Sequence, residues 1–118
     1  LMRHEAKKIT QIVSEILTLF LINGAENIDI KVNTKISTNG QNTEIIIIQY
    51  ECDFDEEFIR KIQYNLDTQR QYEIEGYYWQ LVGEDDSSDE LHLVGAMVDK
   101  ANVTKNGKDL HIQLLRKA

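Results

Sequence analysis

The sequence predicts an α+β fold, a two-layer α/β sandwich in which a four-stranded mixed or antiparallel sheet carries helices on one face. Three observations predict it. The chain begins with a long helix of apolar period, two hairpin patterns occur at separate places, and the residues between the hairpins are helical in pattern. The predicted element order is α-β-β-α-α-α-β-β. With 118 residues, the chain is expected to form one domain, residues 1–118.

The first helix is predicted over residues 4–22. Gly24 follows it and suits the left-handed conformation in which many helices end. Leu19, Leu21 and Ile22 widen the apolar surface, so we expect this helix to be covered on more than one side. The apolar stripe itself consists of Ile9, Ile12, Val13, Ile16, Leu17 and Phe20.

The first hairpin follows. Residues 27–36 alternate between apolar and polar side chains, which predicts a strand near a sheet edge with one face in water. Asn39-Gly40 predicts the turn. The next strand, residues 43–50, contains an unbroken run from Ile45 to Ile48. A strand that is apolar on both faces is expected in the centre of its sheet.

A second helix is predicted from Asp53, which lies at capping-box spacing from Glu56, to a break at residues 66–71. The segment 70–82 is rich in aromatic residues and is only weakly helical in pattern. A further helix is predicted over residues 89–100, with Ser88 or Asp89 as its N-cap.

The chain closes with a second hairpin. Its first strand is expected from Val103, and Asn106-Gly107 predicts the turn. Leu110, Ile112 and Leu114 alternate with polar residues along the last strand.

Composition excludes several classes of protein. The formal net charge of −7 disfavours nucleic-acid binding, which needs a concentrated basic surface. No apolar run approaches the roughly 20 residues that cross a bilayer, so we expect no membrane span, and no signal peptide is expected either. Cys52 is the single cysteine, which excludes an internal disulfide and fits a reduced, cytoplasmic setting.

Two stretches of the chain resemble a known family. They read IVSEILTLFLINGAENIDIKV at the start and LHLVGAMVDKANVTKNGKDLHIQLLRK at the end. Both are similar to the corresponding parts of the histidine-kinase-like (GHKL) ATPase domains, which have the Bergerat fold, and the second resembles their anti-sigma-factor-like branch. The element order agrees along nearly the whole chain. The resemblance implies a Bergerat fold and, in the family, a site for ATP and magnesium.

The residues that bind nucleotide in that family are mostly replaced here. Glu15 matches the Glu of the first family motif, but Leu19 stands where an Asn coordinates magnesium. The D-x-G-x-G motif corresponds to QYECDFD, which lacks glycine, and Asp53 or Asp55 are the candidates for its Asp. The phosphate loop corresponds to DSSDELHL, whose carboxylates Asp89 and Glu90 would repel phosphate.

These departures predict a non-catalytic regulatory or protein-interaction domain with a degenerate GHKL fold, acting as a homodimer and needing no cofactor. The alternative is a divergent ATP-binding protein or serine kinase of the anti-sigma-factor type, which would use Glu15 with Asp53 or Asp55 to hold ATP and magnesium. A third hypothesis is a stand-alone module that is unrelated to the GHKL proteins.

Two groups of residues are candidates for the interaction surface. Tyr77, Tyr78 and Trp79 lie at the position of the family's nucleotide lid and are of the type enriched at interfaces, although they would equally close the core. The second strand presents either Ile45 and Ile47 or Ile46 and Ile48 on the open face of the sheet. An uncovered apolar sheet face marks a partner surface, and Ile45 and Ile47 are selected for that surface.

The remaining candidates have weaker patterns. The acidic run at residues 84–90 suits a hard cation but lacks EF-hand spacing, and a solvated loop explains it equally well. His4, His92 and His111 have no further ligands at metal-binding spacing. Cys52 has no local signature of a catalytic nucleophile.

Overall fold

The computed structural model describes residues 3–72 and 91–118 and has the predicted α+β architecture. The helical interpretation of residues 73–82 and the predicted helix start at residue 89 lie outside the described residues. The elements, in chain order, are α1 (Arg3–Ile22), β1 (Ile28–Ser37), β2 (Gly40–Gln49), α2 (Glu56–Leu66), α3 (Leu91–Gly95), β3 (Lys100–Asn106) and β4 (Asp109–Lys117).

The four strands form one antiparallel sheet in the order β1-β2-β4-β3. Ile47 lies opposite Ile30 of β1 on one side and opposite Ile112 of β4 on the other. The strand with one polar face is therefore at an edge, and the strand of consecutive isoleucines is central, as the sequence predicts. Of the two sheet types left open, the antiparallel one is formed.

The two faces of the sheet differ in burial. The inner face packs against the helices, and its side chains on the central strands are buried, among them Ile45, Ile47, Leu110, Ile112 and Leu114. They form one core with the α1 residues Ile9, Ile12, Ile16 and Phe20 and with Ile62, Leu66, Leu91 and Val94 from α2 and α3.

The choice of Ile45 and Ile47 as a contact surface is wrong for this fold. Both side chains have 0% exposure because they lie beneath the helices. The open face of β2 carries Ile46 and Ile48 instead, and these two are only partly buried. Because β2 has apolar residues on both faces, its sequence does not determine which face is buried. The position of the helices determines it.

Two predicted boundaries are displaced. The N-cap of α2 is Asp55 rather than Asp53, since the backbone of Asp55 is extended and its Oδ1 accepts the Phe58 N–H at 2.8 Å. The helix expected to reach residue 100 ends at Gly95, and β3 already begins at Lys100. Asp99 fixes this start, because its carboxylate accepts the Lys117 N–H at 2.6 Å.

A buried ion pair joins the first helix to the last strand. The Arg116 guanidinium donates from Nε and Nη2 to the two carboxylate oxygens of Glu5, at 2.7 and 2.8 Å, and from Nη1 to the Met97 carbonyl. The Arg116 side chain is 1% exposed and that of Glu5 is 10% exposed. Such a bidentate pair with a third acceptor fixes orientation as well as position. It therefore sets how α1 lies on the sheet.

We expect Glu5→Ala to lower the free energy of unfolding by about 3–5 kcal/mol, because it leaves the Arg116 charge buried without its counter-ion. Urea denaturation measures this loss. Glu56→Ala is the matched control: its ion pair with Arg60 is exposed and 3.9 Å long, so the change should cost less than about 1 kcal/mol. The double variant Glu5→Leu/Arg116→Met should recover most of the stability. An equal, small loss for Glu5→Ala and Glu56→Ala would contradict this account.

The outer edge of β3 is capped by a side chain from α2. Gln63 donates from Nε2 to the Ala101 carbonyl at 3.1 Å, and its Oε1 accepts the Val103 N–H at 2.7 Å. The amide thus satisfies one acceptor and one donor that a further strand would otherwise use. A capped edge is one of the ways in which proteins prevent strand addition.

Among the described residues, no helix is long and apolar enough to cross a membrane.

Candidate interaction surface

The strand β1 is exposed along almost its whole length. Its inward-facing side chains Ile30, Val32 and Ile36 are 39%, 43% and 71% exposed. The sequence predicts one wet face for this strand, but both faces are accessible. The reason is the position of α1, which lies over the central strands and does not extend across β1.

An apolar groove of about 500 Å³ runs between α1 and β1. Its lining includes Ala6, Ile9, Val13 and Leu17 from α1 and Val32 and Thr34 from β1. Leu21 lies farther along α1 and is 56% exposed, so α1 is not covered on all of the sides that the sequence predicts. Exposed apolar area beside a groove is typical of an interaction surface.

In the described part of the chain, the backbone of β1 is also open on its outer side. At the turn, the hairpin closes with the pair Ser37 and Gly40. At the opposite end of the hairpin, the Tyr50 N–H donates to the Asn27 carbonyl at 3.0 Å. In an antiparallel ladder, alternate residues direct N–H and C=O to the neighbouring strand and the others direct them away. Odd-numbered residues of β1 therefore bond to β2. The outward groups belong to the even-numbered residues, which include Ile30, Val32 and Thr34.

The two edges of the sheet are thus different. In residues 3–72 and 91–118, no strand pairs with the outer edge of β1, whereas Gln63 bonds to the outer edge of β3. The exposed backbone groups of β1 also belong to the same residues whose side chains face the groove. A polypeptide that added to this edge would therefore gain main-chain hydrogen bonds and apolar contacts together.

The face opposite the helices has a depression of about 930 Å³ that crosses all four strands. Lys35, Lys100 and Lys117 lie along it together with Glu44 and Asp99. Asp99 is already bonded to Arg70 at 2.6 Å, and Glu44 accepts from Gln113 at 2.7 Å. The charges along this depression are therefore of both signs, and two of its carboxylates already have partners.

A tyrosine and a carboxylate meet beside β1. The Tyr50 hydroxyl donates to Asp29 Oδ2 at 2.7 Å. This hydrogen bond raises the pKa of the Tyr50 phenol, with smaller contributions from burial and from the negative charges of Asp29 and Asp109. Because the folded-state pKa is raised, the stabilisation is present below the ordinary pKa of tyrosine and is lost as the pH rises through the raised value.

Removing the charge of Asp29 should lower the pKa of Tyr50 toward its ordinary value, since the phenolate no longer forms beside a carboxylate. We expect this for Asp29→Asn, and an NMR titration of the tyrosine rings measures it, with Tyr50→Phe to assign the signal. Asp109→Asn should lower the pKa less, because the charge of Asp109 makes the smallest of the four contributions. A pKa that stays unchanged in Asp29→Asn would refute the assignment.

The three carboxylates selected as nucleotide ligands lie at separate places in the fold. Asp55 caps α2, and Asp53 is exposed in the segment before it. Glu15 is 8% exposed and, by helical spacing, lies on the flank of α1 opposite the groove.

Phe54 lies in residues 49–55, the segment that the resemblance predicts to match D-x-G-x-G. Its ring packs edge to face against Phe20 of α1 at 6.1 Å and against Phe58 of α2 at 4.6 Å, measured between ring centroids. Cys52 is buried, and its Sγ accepts the Phe54 N–H at 3.3 Å. The segment therefore joins two helices with an aromatic cluster.

The helices α2 and α3 are in direct backbone contact at the C-terminal end of α2. A Cβ atom on Gly95 would lie 2.9 Å from the Asn65 carbonyl oxygen and 2.8 Å from that of Leu66. Only glycine permits so close an approach without a shift of one backbone. The contact leaves no gap between the two helices at Gly95.

The other candidates are dispersed. His92 Nδ1 lies 3.0 Å from the Thr68 hydroxyl, and His111 is on the outer face of β4. The described part of the chain contains no group of three or more His, Cys, Asp or Glu side chains able to hold a metal. Tyr77, Tyr78, Trp79 and the acidic run 84–90 lie outside the described residues.

No family model, curated protein or solved structure matches this chain. The candidate surface is therefore defined by its own geometry.

The sequence indicates part of this surface, because the alternation in residues 27–36 places β1 at an edge. It gives no sign of the groove or of the Gln63 cap, since both depend on where a distant helix lies.

Proposed function

We propose that this chain is a non-catalytic protein-interaction domain with a regulatory role, built on a degenerate GHKL-type fold and working as a homodimer. The observation that carries the proposal is the surface formed by the α1–β1 groove and the open edge of β1. It combines exposed apolar side chains with main-chain groups that are available for pairing. A single buried, free cysteine is compatible with a reducing compartment such as the cytoplasm.

The relation to GHKL domains is supported by the element order and by the two antiparallel hairpins that flank the helical region. The loss of nucleotide binding is supported by the segment from Gln49 to Asp55. It has no glycine for close approach of the backbone to a nucleotide, and Phe54 uses the space for contacts with Phe20 and Phe58. The Asp55 carboxylate accepts a hydrogen bond as the N-cap of α2.

The first test is a melting curve with and without Mg-ATP and Mg-ADP. We expect no change in melting temperature, because the residues that would contact phosphate and adenine are replaced. A ligand at 100 times its dissociation constant adds about 2.7 kcal/mol of stability, which would raise the melting temperature by several degrees. Glu15→Ala should melt identically with and without nucleotide. A rise in the wild type that Glu15→Ala abolishes would favour the ATP-binding alternative instead.

The second test addresses the groove. Light scattering over a concentration series should give twice the mass of one chain for the wild type. Val32→Glu should raise the dissociation constant of the dimer at least about tenfold, because it introduces a charge into an apolar contact. Thr104→Glu is the matched control, since Thr104 is an exposed residue on β3, next to the capped edge. A wild type that stays monomeric at every concentration would refute the homodimer.

A further inference from the structure

The side chains on the outer face of β1 have an order that matters for pairing. Asp29, Lys31, Asn33 and Lys35 occupy this face in sequence, and all four are exposed. The backbone groups that point away from β2 belong to the even-numbered residues of β1. A second copy of β1 must therefore place its own even-numbered residues opposite them. For two antiparallel copies of β1, this restricts the pairing to a few registers, each with a two-fold axis through one residue of the strand.

We infer that two copies of this chain pair β1 with β1 in the register that has Val32 on the two-fold axis. The inference rests on the proposed homodimer and specifies its interface. Asp29 then lies opposite Lys35 of the second copy, and this pair occurs twice. Lys31 lies opposite Asn33, so no like charges meet. Opposite charges on facing residues stabilise a strand pair, and like charges destabilise it.

The lysines disfavour two of the other registers, and a shorter pairing disfavours two more. With Lys31 on the axis, two lysines face each other directly. With Asn33 on the axis, each Lys31 faces a Lys35. An axis at Ile30 keeps an Asp29–Lys31 pair but joins only residues 28–32, and an axis at Thr34 joins only residues 31–37 without any charge pair. The register with Val32 on the axis joins residues 28–36.

The inner face is equally well matched in this register. Ile36, which is 71% exposed, comes to lie opposite Ile28 of the other copy, and Ile30 lies opposite Thr34. The two α1–β1 grooves meet at the axis. There the Val32 side chains of the two copies lie next to each other, and each lines its own groove. The most exposed apolar residues of β1 are therefore the ones that this pairing covers.

Lysines on an edge strand commonly prevent strand addition. Here they have a narrower effect, because Asp29 faces Lys35 only in the register with Val32 on the axis. The charges on β1 thus exclude the adjacent registers and select the one with Val32 on the axis. The β3 edge offers no comparable site, since Gln63 already bonds to Ala101 and Val103.

Cysteine cross-linking tests the register directly. Lys31 and Asn33 form a facing pair without mutual hydrogen bonds, where the Cα atoms are close enough for a disulfide. We expect a mixture of Lys31→Cys and Asn33→Cys proteins to form a disulfide-linked dimer on mild oxidation, and each variant alone to form none. Cys52 is 3% exposed, so the wild type serves as the uncross-linked control. Both substituted positions are exposed, so folding is preserved.

Each other outcome has one meaning. Cross-linking of Lys31→Cys alone places the axis at Lys31, and cross-linking of Asn33→Cys alone places it at Asn33; either overturns the inference. Light scattering on the same samples separates the two proposals. A dimer without cross-links in the mixture overturns the register and leaves the homodimer in place, whereas a monomer removes the homodimer itself.

Charge exchange provides an independent measurement. Lys35→Asp should raise the dissociation constant of the dimer about tenfold, because two carboxylates then face each other at both ends of the strand pair. The double variant Asp29→Lys/Lys35→Asp should restore most of the affinity. Lys100→Asp, on exposed β3, should leave it unchanged. Equal affinity for Lys35→Asp and wild type would overturn the inference.

Discussion

The ion pair between Glu5 and Arg116 is the constraint on which the arrangement of this fold depends. It joins residues 111 positions apart and is almost wholly buried. Buried charges tolerate little displacement, because each needs its partner at hydrogen-bond distance. The first turn of α1 is therefore held against the end of β4, over the centre of the sheet. That position leaves β1 uncovered and creates the groove beside it, so a feature of the core determines the shape of the surface.

The sequence predicts those parts of the fold that depend on local pattern. The period of the α1 stripe, the alternation in β1 and the isoleucine run of β2 are sufficient to predict an edge strand beside a central one. The sequence does not predict features that depend on a residue far away along the chain. Ile45 and Ile46 are indistinguishable in sequence, and only the position of α1 decides which is buried. The N-cap of α2 is similar. Asp53 and Asp55 are both residue types that cap helices, and the extended backbone at Asp55 makes Asp55 the cap.

The candidate surface follows the same division. The sequence indicates the edge but neither the groove nor the capped opposite edge, because Gln63 and Val103 are 40 positions apart. The segment before α2 and the contact between α2 and α3 both contribute to packing. Phe54 joins α1 to α2, and Gly95 lets α3 contact the end of α2.

The glutamine on α2 has a consequence for the size of any assembly. A sheet with two open edges can grow without limit, which is the route to fibres. Within residues 3–72 and 91–118, the edge at β1 is open and the edge at β3 is occupied by an amide from the chain itself. Joining two open edges uses both, and the strands then at the margins are the occupied ones. Growth by strand pairing would therefore terminate at two copies, with Gln63 acting as the terminator at each end.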